Sequence, residues 1–168
     1  MKLWLGWLVV LAAACAQGSD PAAPTTTANP TDTNAVVVRV IDGDTVDLRF
    51  GDRRERVRLI GIDTPETKKP NTPIQCFGPE ASDFTKHLLE VGTSVLVRRD
   101  VEARDDYGRL LGYLYRSSDG LFVNLELARL GYARPLTIAP NNAFASDFVR
   151  AAREAEATNL GLWAACSG

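Results

Sequence analysis

Residues 45–62 read TVDLRFGDRRERVRLIGI. Val46, Leu48 and Phe50 alternate with Asp47 and Arg49, and Val57 and Leu59 alternate with Arg56 and Arg58. Alternation of period two marks a strand with one buried face. Gly51 and Asp52, between the two runs, are turn formers. The stretch therefore predicts an antiparallel hairpin. The register that keeps the four aliphatic residues on one face sets Val46 opposite Leu59 and Leu48 opposite Val57. Extended by one more pair on that face, it sets Asp44 opposite Gly61, with Asp63 just beyond.

Working outward, residues 36–41, 94–99 and 109–116 also read as strands. Residues 79–92 read as a helix, with Pro79 in its first turn, Ala81, Phe84 and Leu88 on one face, and Gly92 as its stop. Residues 121–131 and 141–161 read as two more helices, the last carrying Phe144, Phe148, Ala151 and Ala155 on one stripe. Short strands followed by segregated helices predict an α+β domain, a small barrel with helices packed on it.

The open end of the hairpin gathers acids. Asp42 and Asp44 flank Gly43, and Asp63, Thr64 and Glu66 follow the second strand. Asp-Gly and Thr-Pro are each common turn signals. Their convergence at one hairpin end favours a site instead. Two carboxylates that close repel unless a proton or a cation joins them. The donors offered by Asp44, Asp63, Thr64 and Glu66 are all oxygens, which suits Ca²⁺ or Mg²⁺. One histidine in the chain and no closely spaced cysteine pair argue against zinc. Arg58 and Arg109 lie near enough in the expected fold to clamp a phosphate with planar forks. Strict alternation turns Arg58 away from the face of Val57 and Leu59, so a bulge or curved edge has to bring it round.

Four fragments taken together are more specific. VIDGDTVDL (40–48), RLIGIDTPET (58–67), FGPEAS (77–82) and DDYGRLLGYLY (105–115) resemble the thermonuclease (staphylococcal-nuclease-like) family, over about residues 36–163. The resemblance implies an OB-fold, a five-stranded Greek-key β-barrel with three helices. It implies calcium-dependent hydrolysis of DNA and RNA at the bond to the 5′ oxygen, leaving 3′-phosphates. By the same resemblance Asp44, Asp63 and the Thr64 carbonyl are the calcium ligands. Glu66 orients or deprotonates the attacking water, and Arg58 and Arg109 hold the phosphate. Lys68, Lys69 and Tyr107 are candidate substrate contacts. The chain departs from the family between Arg134 and Asn142, where it has no tyrosine. Trp163 reads as core packing of the final helix.

The rest of the chain speaks to location. Residues 1–14, MKLWLGWLVVLAAA, have one early lysine, an apolar stretch and small residues before Cys15, the layout of an export signal. Cys15 after small residues resembles a lipoprotein processing site, with Cys15 lipidated as the first mature residue. The competing reading is a plain secretory signal. Residues 15–34 carry no large apolar side chain and read as a disordered tether, so the folded domain is expected over 35–168. An exported bacterial protein, anchored in the cell envelope or secreted, follows from this reading, with the membrane met only through Cys15. In such a protein Cys76 and Cys166 are expected to form a disulfide. The charge balance, 19 basic against 21 acidic residues, does not advertise a nucleic-acid binder, so the substrate reading rests on local residues. A monomer acting on DNA and RNA is expected. The alternative is a non-catalytic OB-fold lipoprotein that holds single strands. The complete set of acids and arginines favours catalysis.

Overall fold

The computed structural model describes residues 32–68 and 73–166. In chain order the elements are β1 (Asp32–Asp42), β2 (Thr45–Phe50), β3 (Arg53–Leu59), β4 (Gly61–Asp63), α1 (Gly78–Leu88), β5 (Ser94–Arg98), β6 (Leu110–Arg116), α2 (Val123–Arg129), β7 (Arg134–Leu136), α3 (Ala145–Ala157) and α4 (Leu162–Ala165). The expected export signal at 1–14, Cys15, the tether up to residue 31 and Lys69 lie outside the described residues.

The hairpin forms with its aliphatic face inward, and Val46, Leu48, Val57 and Leu59 are wholly buried. Its register differs from the expected one. Val46 pairs with Val57 and Leu48 with Glu55. The cause is the turn. Phe50 pairs with Arg53, so the loop is only Gly51 and Asp52, and Gly51 adopts a φ of 57°, as tight hairpins require. The slip is two residues, which keeps every side chain on its expected face.

The strands close a barrel in the order β1-β2-β3-β6-β5, with β1 also hydrogen-bonded to β5 and with β3 and β6 parallel. This is the five-stranded Greek-key barrel that the resemblance implied. β1 serves two partners, β5 through Asp32–Val36 and β2 through Val36–Asp42, with register shifts on either side of Arg39 and Val40. Residues 32–34, expected in the tether, belong to this strand. Arg98 lies opposite Asp32 and donates Nε and Nη2 to its carboxylate at 2.9 and 3.0 Å. That fork gives the polar strand end a partner that composition does not reveal.

The helices pack on the sheet strands, α1 against β1, α2 against β6, and α3 against β4 and β7. α1 buries Ala81, Ser82, Thr85 and Leu88, while Phe84 stacks on Tyr132 with ring centroids 4.0 Å apart. α3 begins at Ala145, later than expected, because Asn141 is used elsewhere. Its side-chain amide bonds both backbone groups of Glu102. Beyond Gly161 the chain adds α4, one turn more than the three helices expected. There Leu162 is the buried residue, and Trp163 is half-buried under the Arg134 guanidinium, 4.4 Å from its ring. Cys76 and Cys166 are bonded, with Cα atoms 5.9 Å apart.

Candidate metal and phosphate site

The site begins where β3 breaks. Leu59 donates its N–H to the Asp44 carbonyl at 2.8 Å and Ile60 to Gly112 at 3.2 Å. Gly61 then takes a φ of 84°, and a Cβ there would lie 2.1 Å from Phe148 Cε2. Glycine is required on both counts. Ile62 drops into the core, and Asp63 emerges beside Arg58 on the outer face of the barrel. The Arg58 problem thus resolves without a bulge in β3. Arg58 stays on its own face and the acids come to it.

The contacts are specific. Arg58 Nη2 lies 3.1 Å from Asp44 Oδ2 and 3.0 Å from Asp63 Oδ1. Nη1 of the same guanidinium donates to the Ile62 carbonyl at 2.9 Å and to that of Leu59. Thr64 donates its N–H and hydroxyl to Asp44 Oδ2 at 3.0 and 3.1 Å. Asp44 is buried, whereas the Asp63 side chain is 58% exposed. The two carboxylates therefore meet across one guanidinium, one from the core side and one from solvent.

A second acidic turn supports the first. Asp42 accepts from Gly43 N–H at 2.9 Å and from the Thr67 hydroxyl at 2.7 Å. Burial alone would raise the Asp42 carboxyl. Hydrogen bonds from the Thr67 hydroxyl and from the Gly43 and Thr67 N–H groups help to outweigh it, and the carboxyl lies below its usual value. Glu66 Oε1 accepts from Thr67 and Lys68 N–H, and Glu66 N–H donates to Gln75 Oε1 at 2.8 Å. Glu66 is thus held at the mouth of the site by its own loop.

Arg109 arrives from the start of β6. Asp105 Oδ1 accepts its N–H at 2.9 Å and Asp105 Oδ2 its Nε–H at 2.6 Å. Its guanidinium lies 5.5 Å from the centre of the exposed Tyr107 ring. Arg58, Arg109, Asp44, Asp63, Glu66 and Lys68 line one cleft of about 790 Å³. Leu136 and Ile138 line it too, in the segment without tyrosines. Tyr132 does not; it packs between Phe77 and Phe84.

The donor chemistry suits a hard cation. Asp44 and Asp63 offer carboxylate oxygens, and Thr64, its hydroxyl and N–H engaged as donors, offers its carbonyl. Among the described residues no three histidine, cysteine or acidic side chains are already grouped as a metal cage. Arg58 bridges the two aspartates instead.

Residues 56–165 match the family model described as staphylococcal nuclease homologue. The chain is 44% identical over 128 residues to the thermonuclease of Staphylococcus intermedius, covering 76% of this chain and 74% of that one. It is 39% identical over 127 residues to the thermonuclease of Staphylococcus hyicus, covering 76% and 73%. This chain belongs to the staphylococcal nuclease family. Endonuclease YncB of Bacillus subtilis is 37% identical over 131 residues, covering 77% of this chain and 61% of that protein.

In this staphylococcal nuclease homologue the chain brings together the residues the sequence singled out at Asp44, Arg58, Asp63, Thr64, Glu66, Lys68, Tyr107 and Arg109. Supporting residues escaped notice. Thr85 is fully buried on α1 and donates to the Gly43 carbonyl at 2.7 Å. Asn124, also fully buried, donates to the carbonyls of Ile60 and Gly112 and accepts from Leu114 N–H. It locks the break in β3 against β6. The available signal was a polar residue on an otherwise apolar helix face.

Beside the cleft, Asp47 collects three guanidiniums, Arg56 Nε at 2.8 Å, Arg54 Nη2 at 2.9 Å and Arg39 Nη2 at 3.0 Å. Burial would raise this carboxyl, and Arg56, Arg54 and Arg39 together hold it below its usual value.

Proposed function

We propose that this chain is a calcium-dependent phosphodiesterase that hydrolyses DNA and RNA at the bond to the 5′ oxygen and leaves 3′-phosphates. The observation that carries the reading is the Arg58 guanidinium seated between Asp44 and Asp63 in the cleft that also holds Arg109 and Glu66. Membership of a family of thermonucleases and endonucleases supports it.

Asp44, Asp63 and the Thr64 carbonyl would hold the ion. When bound, a calcium ion supplies positive charge next to the phosphodiester. Arg58 and Arg109 donate to the non-bridging phosphate oxygens and share the charge that accumulates as a water oxygen attacks phosphorus. Of the five donors of the Arg58 guanidinium, Nη1 faces two carbonyls and Nη2 the two aspartates, so Nε–H is the one left for this, joined by Nη2 if an ion takes the aspartates. Glu66 orients that water and accepts its proton. The bond to the 5′ oxygen breaks, that oxygen leaves as the alcohol with a proton taken from solvent water, and the phosphate remains on the 3′ side. Lys68, with Lys69 beside it in sequence, adds charge along the strand, and Tyr107 offers a face on which a base stacks.

The chain works outside the cytoplasm on this reading, as a monomer held by a lipid on Cys15 or released after cleavage. The mass of the mature N-terminal peptide tests that part.

The decisive experiment incubates plasmid, single-stranded DNA and RNA with the protein in Ca²⁺, in Mg²⁺ and in chelator. Cleavage that requires Ca²⁺ and leaves 3′-phosphate ends is the expected result. Binding of single strands without cleavage in any condition would instead favour the non-catalytic OB-fold reading.

A further inference from the structure

The cleft does not end at Arg109. A second groove of about 600 Å³ adjoins it, and Arg56, Tyr107 and Arg109 line both. Its floor is the outer face of β1, β2 and β3, where Arg39 pairs across strands with Asp47 and Asp47 with Arg56. Along β3, Arg54, Arg56 and Arg58 are each two residues apart. Their side chains therefore leave the same face at intervals of about 6.7 Å. The row starts between Asp44 and Asp63 with Arg58 and runs outward into the second groove, where Arg39 joins it.

Three clustered guanidiniums would repel and scatter without a counter-charge. The Asp47 carboxylate, 4% exposed, sits beneath them and accepts one or two hydrogen bonds from each. The side chains of Arg39, Arg54 and Arg56 remain 58%, 52% and 47% exposed, and each keeps N–H groups beyond those spent on Asp47. Glu55, the other carboxylate lining the groove, is paired with Arg104 at 3.0 Å. The Tyr107 ring, 85% exposed, stands at the junction of the two grooves.

We propose that Arg39 and Arg54, with Arg56 between groove and cleft, form a second phosphate subsite that holds the backbone of a single-stranded nucleic acid running on from Arg58 and Arg109. The spacing of the β3 row matches the step between successive phosphates of an extended strand. Guanidinium forks are suited to phosphate oxygens, and a basic groove beside an aromatic face is how single strands are held without regard to sequence. The proposal rests on the nuclease reading for the course of the strand, but not on cleavage itself.

The test is the double variant Arg39→Gln/Arg54→Gln, which leaves Asp47 paired with Arg56. Its melting profile is compared with that of the unaltered chain, and the single variant Arg54→Gln replaces it if the double variant does not fold. Binding of a labelled single-stranded oligonucleotide long enough to span both grooves is followed by anisotropy in chelator, across a salt series. The expected result is affinity about tenfold weaker, with a log–log salt slope shallower by about 1.4 for two lost phosphate contacts, or about 0.7 for the single variant. Arg39→Lys/Arg54→Lys restores most of the slope. In Ca²⁺, KM for polymeric DNA rises while turnover of a dinucleotide-sized phosphodiester is unchanged. Equal affinity and equal slope for the glutamine variant and the unaltered chain would overturn the proposal and leave Asp47 and its arginines as cross-strand cement. Failure of the unaltered chain to bind the oligonucleotide would overturn it as well. Cleavage without a slope change sinks the groove and spares the nuclease. A slope change without cleavage does the reverse.

Discussion

The Thr85 hydroxyl donates to the Gly43 carbonyl at 2.7 Å, so the buried side of α1 grips the turn between Asp42 and Asp44. A Cβ on Gly43 would lie 2.7 Å from Thr64 Oγ1, so the same turn is pressed against Thr64 as well. Replacing Thr85 by valine keeps the shape and removes the donor, leaving a buried carbonyl without its bond. The variant should lose about 1–2 kcal/mol in a denaturant melt. Calcium affinity by calorimetry should fall with it, since the turn that presents Asp44 loses its hold on α1 while Thr64 still bonds the Asp44 carboxylate.

The two clamp arginines should behave differently when each is changed to lysine. Arg109 spends its guanidinium Nε on Asp105 alone. Arg109→Lys should cut kcat by about 10²–10³-fold through loss of the fork, with stability unchanged to within about 0.5 kcal/mol. Arg58 also holds the carbonyls of Leu59 and Ile62. Arg58→Lys should lose activity and stability together. Single-turnover rates alongside thermal melts separate the two cases.

Asp63 is the more exposed of the two aspartates. Asp63→Asn should therefore leave the fold intact. It should weaken calcium binding about tenfold by removing one charged ligand. A calorimetric titration of the purified variant reads this directly, without reference to cleavage.

Asp47 has a carboxyl held below the ordinary aspartate value of 3.8 by Arg56, Arg54 and Arg39, against the upward pull of burial. Above 3.8 the carboxyl is ionised in folded and unfolded chains alike, and its stabilisation is present in full. As pH falls below 3.8 the unfolded chain takes up the proton first, and the contribution is lost through the lower folded value. Asp47→Asn should thus be less stable by about 2 kcal/mol at neutral pH. The difference should close as the pH drops below 3.8, in urea melts run from neutral to acid.

Gly61→Ala should be among the most damaging single changes. The backbone there is left-handed, with a φ of 84°, and the new methyl would meet the Phe148 ring. Strain and overpacking together should cost about 3 kcal/mol. The denaturant midpoint should fall without change in slope, and activity should fall too, because Asp63 is carried on the residues that follow.

Which parts of this were legible in advance follows from how local each signal is. The faces of β2 and β3 could be read because Val46, Leu48, Val57 and Leu59 repeat with the period of a strand. Their register could not, because alternation is indifferent to a slip of two, and only the length of the Gly51–Asp52 turn decides it. Asp44 and Asp63 were visible as acids at strand ends. The position of Arg58 between them was not, since it depends on the break at Ile60 and the reversal at Gly61. Thr85 and Asn124 act through hydrogen bonds to residues far away in sequence, and no periodic pattern reports such a partner. Asp32 was hidden for the same reason, its fork with Arg98 spanning much of the domain.

The bond between Cys76 and Cys166 joins residues 90 apart and turns most of the folded chain into a covalent ring. A protease that cuts one peptide bond inside this ring opens it but releases no fragment. The molecule would still migrate as one piece on a gel run without reductant, and as two pieces once the bond is reduced.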